Sequence, residues 1–179
     1  MAPEIELRPF EEGDAFAVRA WFEDAETTAM LLEQRDGLSD SAARAWVERA
    51  IAGGGEDRKW AIAVDGLDRA AGFTALYGVG RQLAPEIGIL IAPEARGMGV
   101  GRRALELTVE EAFNEAGAHR LYARILATNE ASKSLFSSLG FRHEGTMRGH
   151  VQRERQLIDV ELWGLLRGEW RPPAPEAAG

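Results

Sequence analysis

The chain has 179 residues, 45% hydrophobic and 28% charged, with a net charge of -8. Such a length suits one domain able to bury a proper core, and the composition is ordinary for a globular protein. There is no cysteine, which excludes disulfides, thiolate metal sites and a cysteine nucleophile.

The start, MAPEIELRPF, lacks a basic segment followed by an apolar run, and no apolar stretch approaches the roughly 18 residues that span a bilayer. The expectation is a cytoplasmic protein with no membrane partner. Residues 5–8 predict a short strand and 11–22 a helix whose apolar side includes Phe16, Val18 and Phe22. A second helix is expected over 41–52, capped by Ser39 and ended by Gly53-Gly54-Gly55. Strands follow at 59–64 and 70–77, joined by a turn at Asp65-Gly66, and a central strand begins at Glu86. A helix then runs to about Gly117, a strand covers 120–126, a short helix capped by Asn129 follows, and two strands close the chain. Residues 1–171 are expected to form the domain, and the tail 172–179 (PPAPEAAG) to be disordered.

Charge is uneven. Residues 1–60 carry 14 acidic and 7 basic side chains, whereas 96–155 carry 7 acidic and 10 basic. The first part would attract a cation and the second suits a polyanion, although solvated helix faces explain both equally well. A basic stripe interleaved with aromatics is missing, so no nucleic acid partner is expected.

The segment EIGILIAPEARGMGVGRRAL, residues 86–105, carries the most chemistry. An apolar strand passes through a Pro-containing turn into a glycine-rich loop that opens a helix. Gly97, Gly99 and Gly101 let the backbone approach a ligand closely. The first amides of the helix, from about Met98 and Val100 to Arg103, lack intrahelical acceptors at the positive end of the helix dipole. That is a site for a pyrophosphate, to which Arg96 and Arg102 add charge. A Walker A loop would need Gly-Lys-Ser/Thr where Arg102-Arg103 stand. A dinucleotide fingerprint would need a later third glycine and an acid after the next strand, RLYARIL, which has none.

The pattern Arg96-x-x-Gly99-x-Gly101 resembles the coenzyme A pyrophosphate loop of the GNAT superfamily of N-acetyltransferases. The later run NEASKSLFSSLGF, with Asn129, Ser132, Phe136 and Gly140-Phe141, is similar to the GNAT segment after the splayed strand. The order of Glu144-Gly145, Met147-Arg148, Asp159 and Glu169-Trp170, with the opening Ile5-Glu6-Leu7-Arg8-Pro9, resembles the ribosomal-protein N-terminal acetyltransferase (RimJ/RimL-type) branch. The resemblance spans about residues 4–170. It implies an α/β fold with a single mixed, largely antiparallel sheet of about seven strands flanked by about four helices. It also implies acetyl-CoA as cosubstrate, a primary amine as acceptor, direct attack in a ternary complex, and possible homodimerisation.

Site roles follow from the resemblance residue by residue. Ile89, Leu90 and Ile91, with Gly88, would pair with the thioester arm. Arg96, Gly97, Met98, Gly99, Val100, Gly101 and Arg102 would hold the pyrophosphate, and Asn129, Ser132, Lys133 and Phe136 would lie along the cofactor. A lysine ammonium is neutral about one time in a thousand near pH 7.4, an α-amino group far more often, so the acceptor sets the need for a base. Glu86 is the candidate base, acting directly or through water; its other role is a salt bridge or an anchor for the amine. Phe136 stands where many GNAT enzymes place a tyrosine, and Ser132 matches the serine that the RimL-like branch places near the thiolate, so Ser132 is either the hydrogen-bond partner of the leaving thiolate or an ordinary helix-surface serine. Lys133 is either near the 3′-phosphate of the cofactor or solvent-exposed.

Other residues carry weaker expectations. His119, His143 and His150 lack metal-ligand spacing, and His150 is an alternative base because Val151 replaces a glutamate of the branch. Asp159 either positions substrate or pairs with Arg153 or Arg155. Trp21, Trp46 and Trp60 pack or line the acceptor cleft, while Phe73, Leu76 and Tyr77 are expected in the core. Phe136 and Val151 also motivate a competing role, a non-catalytic acyl-CoA-binding module.

Overall fold

The chain opens with β1 (Ile5–Arg8), a 3-10 turn (Glu12–Asp14), α1 (Ala15–Glu23), α2 (Ala25–Ala29) and α3 (Asp40–Ala52). Then come β2 (Arg58–Val64), β3 (Gly72–Tyr77), β4 (Glu86–Ile91), α4 (Val100–Asn114), β5 (Arg120–Leu126), α5 (Glu130–Ser138), β6 (Arg142–Arg153) and β7 (Gln156–Leu166). The structure is a computed structural model, and it describes residues 3–33, 37–53, 56–79 and 84–173. One seven-stranded sheet has the order β1-β2-β3-β4-β5-β7-β6, so the expected mixed α/β sheet is present. Beyond the expected helices there is a short one, α2, which Asp24 caps by accepting from the Thr27 amide at 2.8 Å. Pro172 and Pro173 have no regular structure, and the rest of the expected tail lies outside the described residues, as do Gly54 and Gly55.

Local chemistry explains where elements begin and end. Ser39 accepts from the Ala42 amide at 3.2 Å to start α3, and Gly53 ends it at φ 56°, a left-handed conformation suited to glycine. Gly72 has φ 143°, and a Cβ there would stand 2.1 Å from the Leu90 carbonyl oxygen; glycine is what allows β3 to lie this close to β4. Gly164 on β7 serves a different end. It lets Glu144 of β6 cross over to ion-pair with Arg120 of β5, and an added Cβ would stand 2.3 Å from Glu144 Oε1.

Pairing is antiparallel from β1 through β4 and again through β5, β7 and β6. The two halves meet at a parallel β4–β5 junction with a single registered pair, Glu86 with Tyr122. Past that point the strands part. The edge of β4 that faces β5 therefore keeps unpaired backbone groups over residues 87–91, while its other edge is fully paired with β3.

Each face of the sheet has its own core. On one side Leu76, Ile87, Leu105, Val109, Phe113 and Leu121 pack under α4 and α5. On the other, Val18, Trp21, Phe22, Val47, Phe73 and Leu90 pack beneath α1 and α3. Strand alternation sends Ile87 and Ile89 to the first face and Gly88 and Leu90 to the second. Among the described residues no helix is long and apolar enough to cross a membrane.

Candidate functional site

The wedge between β4 and β5 opens into two clefts. One, of about 400 Å³, is lined by Ile89, Leu90 and Ile91, by the loop residues Arg96, Gly97 and Gly99, and by Val100, Gly101, Asn129 and Ser132. The other, of about 570 Å³, is lined by Glu86, Gly88, Arg124, Trp46, Lys59 and Tyr77, and again by Asn129 and Ser132. Met30, Leu31 and Ile89 also border both. A molecule in the first cleft therefore meets a molecule in the second beside Ser132.

The first cleft is made mainly of backbone. Gly97 and Gly99 adopt φ 74° and 78°, and a Cβ at either would meet nothing within 4 Å, so the loop presents bare peptide to open space. The first internal bond of α4 runs from the Arg103 amide to the Gly99 carbonyl at 3.2 Å, which leaves the amides ahead of it pointing outward. Gly101 has less room: a Cβ there would stand 3.2 Å from Leu135 Cδ2 and 3.5 Å from Ile91 Cγ1. Open peptide at a helix N-terminus, next to the unpaired β4 edge, fits a pyrophosphate carrying an extended amide-bearing arm.

The cations expected to assist this loop line the first cleft with their charges already matched by acids. Arg96 donates to the Thr27 hydroxyl at 2.6 Å and pairs with Glu26 at 3.2 Å and Asp24 at 3.6 Å, tying the loop to α2. Asp24 holds its proton less tightly than an ordinary carboxyl, chiefly because the Thr27 hydroxyl donates to it. Arg102 donates to Glu106 at 3.0 Å and to Ser138 Oγ at 3.2 Å, joining α4 to α5. Met98 is 43% exposed and borders neither cleft.

Along α5, Asn129 caps the helix by accepting from the Ser132 amide at 3.0 Å, as its spacing predicted. The Ser132 hydroxyl has no protein partner among the described residues and stands where the clefts meet. Phe136 is buried, packs edge-on to Phe141 with ring centroids 5.0 Å apart, and borders the second cleft. Lys133 departs from expectation. Its ammonium donates to the Ala127 carbonyl at 2.8 Å and pairs with Glu130 at 2.6 Å and Glu161 at 3.4 Å, so it is neither solvent-exposed nor at either cleft.

Glu86 starts β4 with its side chain only 15% exposed. Both carboxylate oxygens accept from Arg124 Nε, at 3.0 and 3.1 Å. That bond, opposed by burial, raises the Arg124 pKa further and keeps the guanidinium charged. Burial first, and then the Glu86 charge, pushes the Tyr122 phenol above its usual range, so it remains a neutral hydroxyl near pH 7. The salt-bridge role given to Glu86 is thus present, and lone pairs beyond those used by Arg124 remain for an amine proton.

Several other expectations need correction. Asp159 pairs with neither Arg153 nor Arg155; it accepts from the Gly149 amide at 2.7 Å and holds the irregular stretch of β6 between Met147 and Val151. Arg153 instead donates to the Ala29 carbonyl at the end of α2. His150 is exposed on β6 and borders neither cleft, which removes it as an alternative base. Tyr77 is at the margin of the core: it packs against the cluster around Phe73, its ring lies against Gly88, and it lines the second cleft. Of the tryptophans, Trp21 is buried core, Trp60 flanks the core beneath α4, and Trp46 lines the cleft. Among the described residues no group of three or more His, Asp or Glu could hold a metal.

Arg124, Lys59 and Arg49 border the second cleft without having been singled out in the sequence. For Arg124 a signal existed: alternation in RLYARIL puts Arg120, Tyr122 and Arg124 on one face of β5, beside Glu86 in the register. Arg49 and Lys59 gave none, since α3 and β2 come together only in the fold.

The acetyltransferase (GNAT) domain family matches residues 4–142 of the chain. A relative from Bacillus licheniformis, the N-acetyltransferase p20, is 24% identical over 168 residues, covering 93% of this chain and 94% of that protein. Among solved structures, spermidine N-acetyltransferase from Vibrio cholerae in complex with CoA and spermine superposes with a TM-score of 0.83 at 19% identity, over 92% of this chain and 96% of that one. Mycobacterium smegmatis RimJ, in complex with CoA-disulfide, superposes with a TM-score of 0.77 at 24% identity, over 92% of this chain and 83% of that one. At such identities the two structures share the fold, and they come from different branches of it.

Proposed function

The chain belongs to the GNAT acetyltransferase domain family, and on that premise we propose that it transfers acetyl from acetyl-CoA to a primary amine by direct attack within a ternary complex. The observation that carries this is the meeting of two clefts beside Ser132, in the wedge where β4 and β5 part. One cleft offers open peptide and the other charged and aromatic side chains, as a cosubstrate and an acceptor require.

Acetyl-CoA supplies the activated acetyl carbon and a thiolate leaving group. The amides at the start of α4 and the loop around Gly97 and Gly99 bind the pyrophosphate. Unpaired β4 groups over residues 88–91 align the arm, and one of their amides polarises the acetyl carbonyl. Glu86, held in place by Arg124, accepts the proton the amine gives up as its nitrogen bonds to the acetyl carbon. As the carbon–sulfur bond breaks, the Ser132 hydroxyl donates to the departing sulfur, and a proton from solvent completes the thiol. Arg96 and Arg102 contribute by fixing α2 and α5 around the loop rather than by contacting phosphate.

Thiol release from acetyl-CoA across amino acids, small amines, polyamines and N-terminal peptides tests the proposal. Ser132→Ala should lower kcat by about 10- to 100-fold, as expected for loss of one hydrogen bond to a developing charge, with cofactor affinity retained. Thiol release from no amine at all, despite cofactor binding, would overturn it.

A further inference from the structure

The second cleft contains cations that the transfer chemistry does not use. Arg124 is matched by Glu86. Lys59, on β2, is another matter: its Nζ is 3.6 Å from Asp57 Oδ2, longer than a hydrogen bond, and 5.2 Å from the Tyr77 ring centroid. Arg49, in the last turn of α3, has no hydrogen bond or ion pair among the described residues. The two also border, with Asp57, one smaller adjoining hollow of about 310 Å³, which places them together. The other carboxylate lining the cleft besides Glu86 is Glu33.

Strand register locates this basic pair relative to the reacting end. Lys59, Ala75 and Gly88 form one cross-strand row and so share a face of the sheet with Glu86. Lys59 therefore lies two strand spacings, about 10 Å, from β4 at the backbone. Phe22, Trp46 and Tyr77 line the cleft with them. A short methylene chain would suit these walls, with opposite charges at its two ends.

Building on the acetyltransferase reading, we propose that the acceptor is a small primary amine bearing a carboxylate or phosphonate, its anion on Arg49 and Lys59 and its amine beside Glu86 and Ser132. A polyamine would set a second ammonium against these cations. Charge-assisted bonds to a guanidinium and an ammonium select the anion-bearing amine, and the dipolar molecule aligns its nitrogen with the thioester.

The test is steady-state thiol release with a series of ω-amino acids, the matching aminoalkylphosphonates, their amides, simple alkylamines and a polyamine. The anionic members should exceed their amides in kcat/KM by about 10- to 100-fold, the factor expected for charged hydrogen bonds. The two anionic arms show whether carboxylate or phosphonate fits better. In an Arg49→Ala, Lys59→Met double variant, KM for the anionic acceptor should rise by a similar factor while kcat changes far less, and the advantage over the amide should collapse. Lys59→Glu should reverse the preference toward cationic amines. Equal use of amides and acids, or an unchanged ratio in the variants, would overturn the anion subsite while leaving acetyl transfer intact. Acidic N-terminal peptides used much better than the small acids would also overturn it, in favour of a protein acceptor. Thiol release from no amine would instead overturn the acetyltransferase reading on which it rests.

Discussion

The two clefts that meet at Ser132 are built from different materials. The cofactor side is peptide backbone: a loop with positive φ at Gly97 and Gly99, the start of α4, and the free edge of β4. The acceptor side is side chains brought together from α1, α3, β2, β3, β4 and β5. Backbone geometry responds to glycine and strand pairing, whereas a side-chain wall can change one residue at a time without disturbing the sheet. One fold can thus keep its cosubstrate while its acceptor varies.

The largest effect should come from the acceptor side. Glu86→Gln keeps the shape and a hydrogen-bonding oxygen but removes the charge that takes up the amine proton. Loss of general-base help of this kind costs about 10²–10⁴-fold in rate. Cofactor affinity by titration should be unchanged, because Glu86 borders only the acceptor cleft. Equal losses of affinity and rate would mean the clefts are not separate in function.

The converse variant is Gly101→Val. A Cβ there already comes within 3.2 Å of Leu135, and the two branch methyls would press on Leu135 and Ile91 at the mouth of the cofactor cleft. Leu135 and Ile91 relieve this crowding by swinging into the cleft they line, so binding must restore an overpacked state that typically costs about 1–3 kcal/mol, at the upper end about 100-fold in cofactor affinity. Circular dichroism should be preserved, since α4 tolerates valine near its start, and titration calorimetry reads the loss.

The same contrast explains what the sequence made legible. Strands at 86–91 and 120–126, the cap at Asn129 and the loop glycines all rest on local patterns, and each lies where it was expected. The acids that pair with Arg96, Arg102 and Lys133 were not legible, because a sequence shows that a cation is near a loop, not that an acid will claim it. Their partners, Glu26, Glu106 and Glu161, belong to other turns or other elements. Lys59 and Arg49 were invisible as a pair for the same reason, being on different elements that share a cleft only after folding.

A control belongs to neither cleft. Asp14 is buried and accepts from Arg8 at 2.7 and 2.8 Å and from the Glu11 amide at 2.9 Å. Burial alone would raise its pKa, but the Arg8 hydrogen bond and the Glu11 amide outweigh it, and the folded value lies below the ordinary one. The ionised form is therefore worth stability that is fully present above the unfolded pKa of about 4 and is lost as pH falls through the folded value. Asp14→Asn should cost about 2 kcal/mol by urea unfolding at pH 7, in the range for loss of hydrogen bonds to a charged group. The gap from the parent chain should narrow toward pH 3, and KM for either substrate should hardly move.

The smallest effect sharpens the comparison most, because Arg96 stands in the cofactor loop yet is held by α2. If its guanidinium bound phosphate, Arg96→Ala would cost one charge-assisted contact, roughly tenfold or more in cofactor affinity, with a marked dependence on salt. With the guanidinium held instead by Thr27, Glu26 and Asp24, its loss frees the helix that lines the cofactor cleft and leads into Met30 and Leu31, which border both clefts. The expected outcome is faster amide exchange over residues 24–31, with cofactor affinity weakened only about threefold, an indirect effect of a looser wall. Raising salt should then change the affinities of parent and variant alike, since the peptide groups that hold the pyrophosphate remain in both.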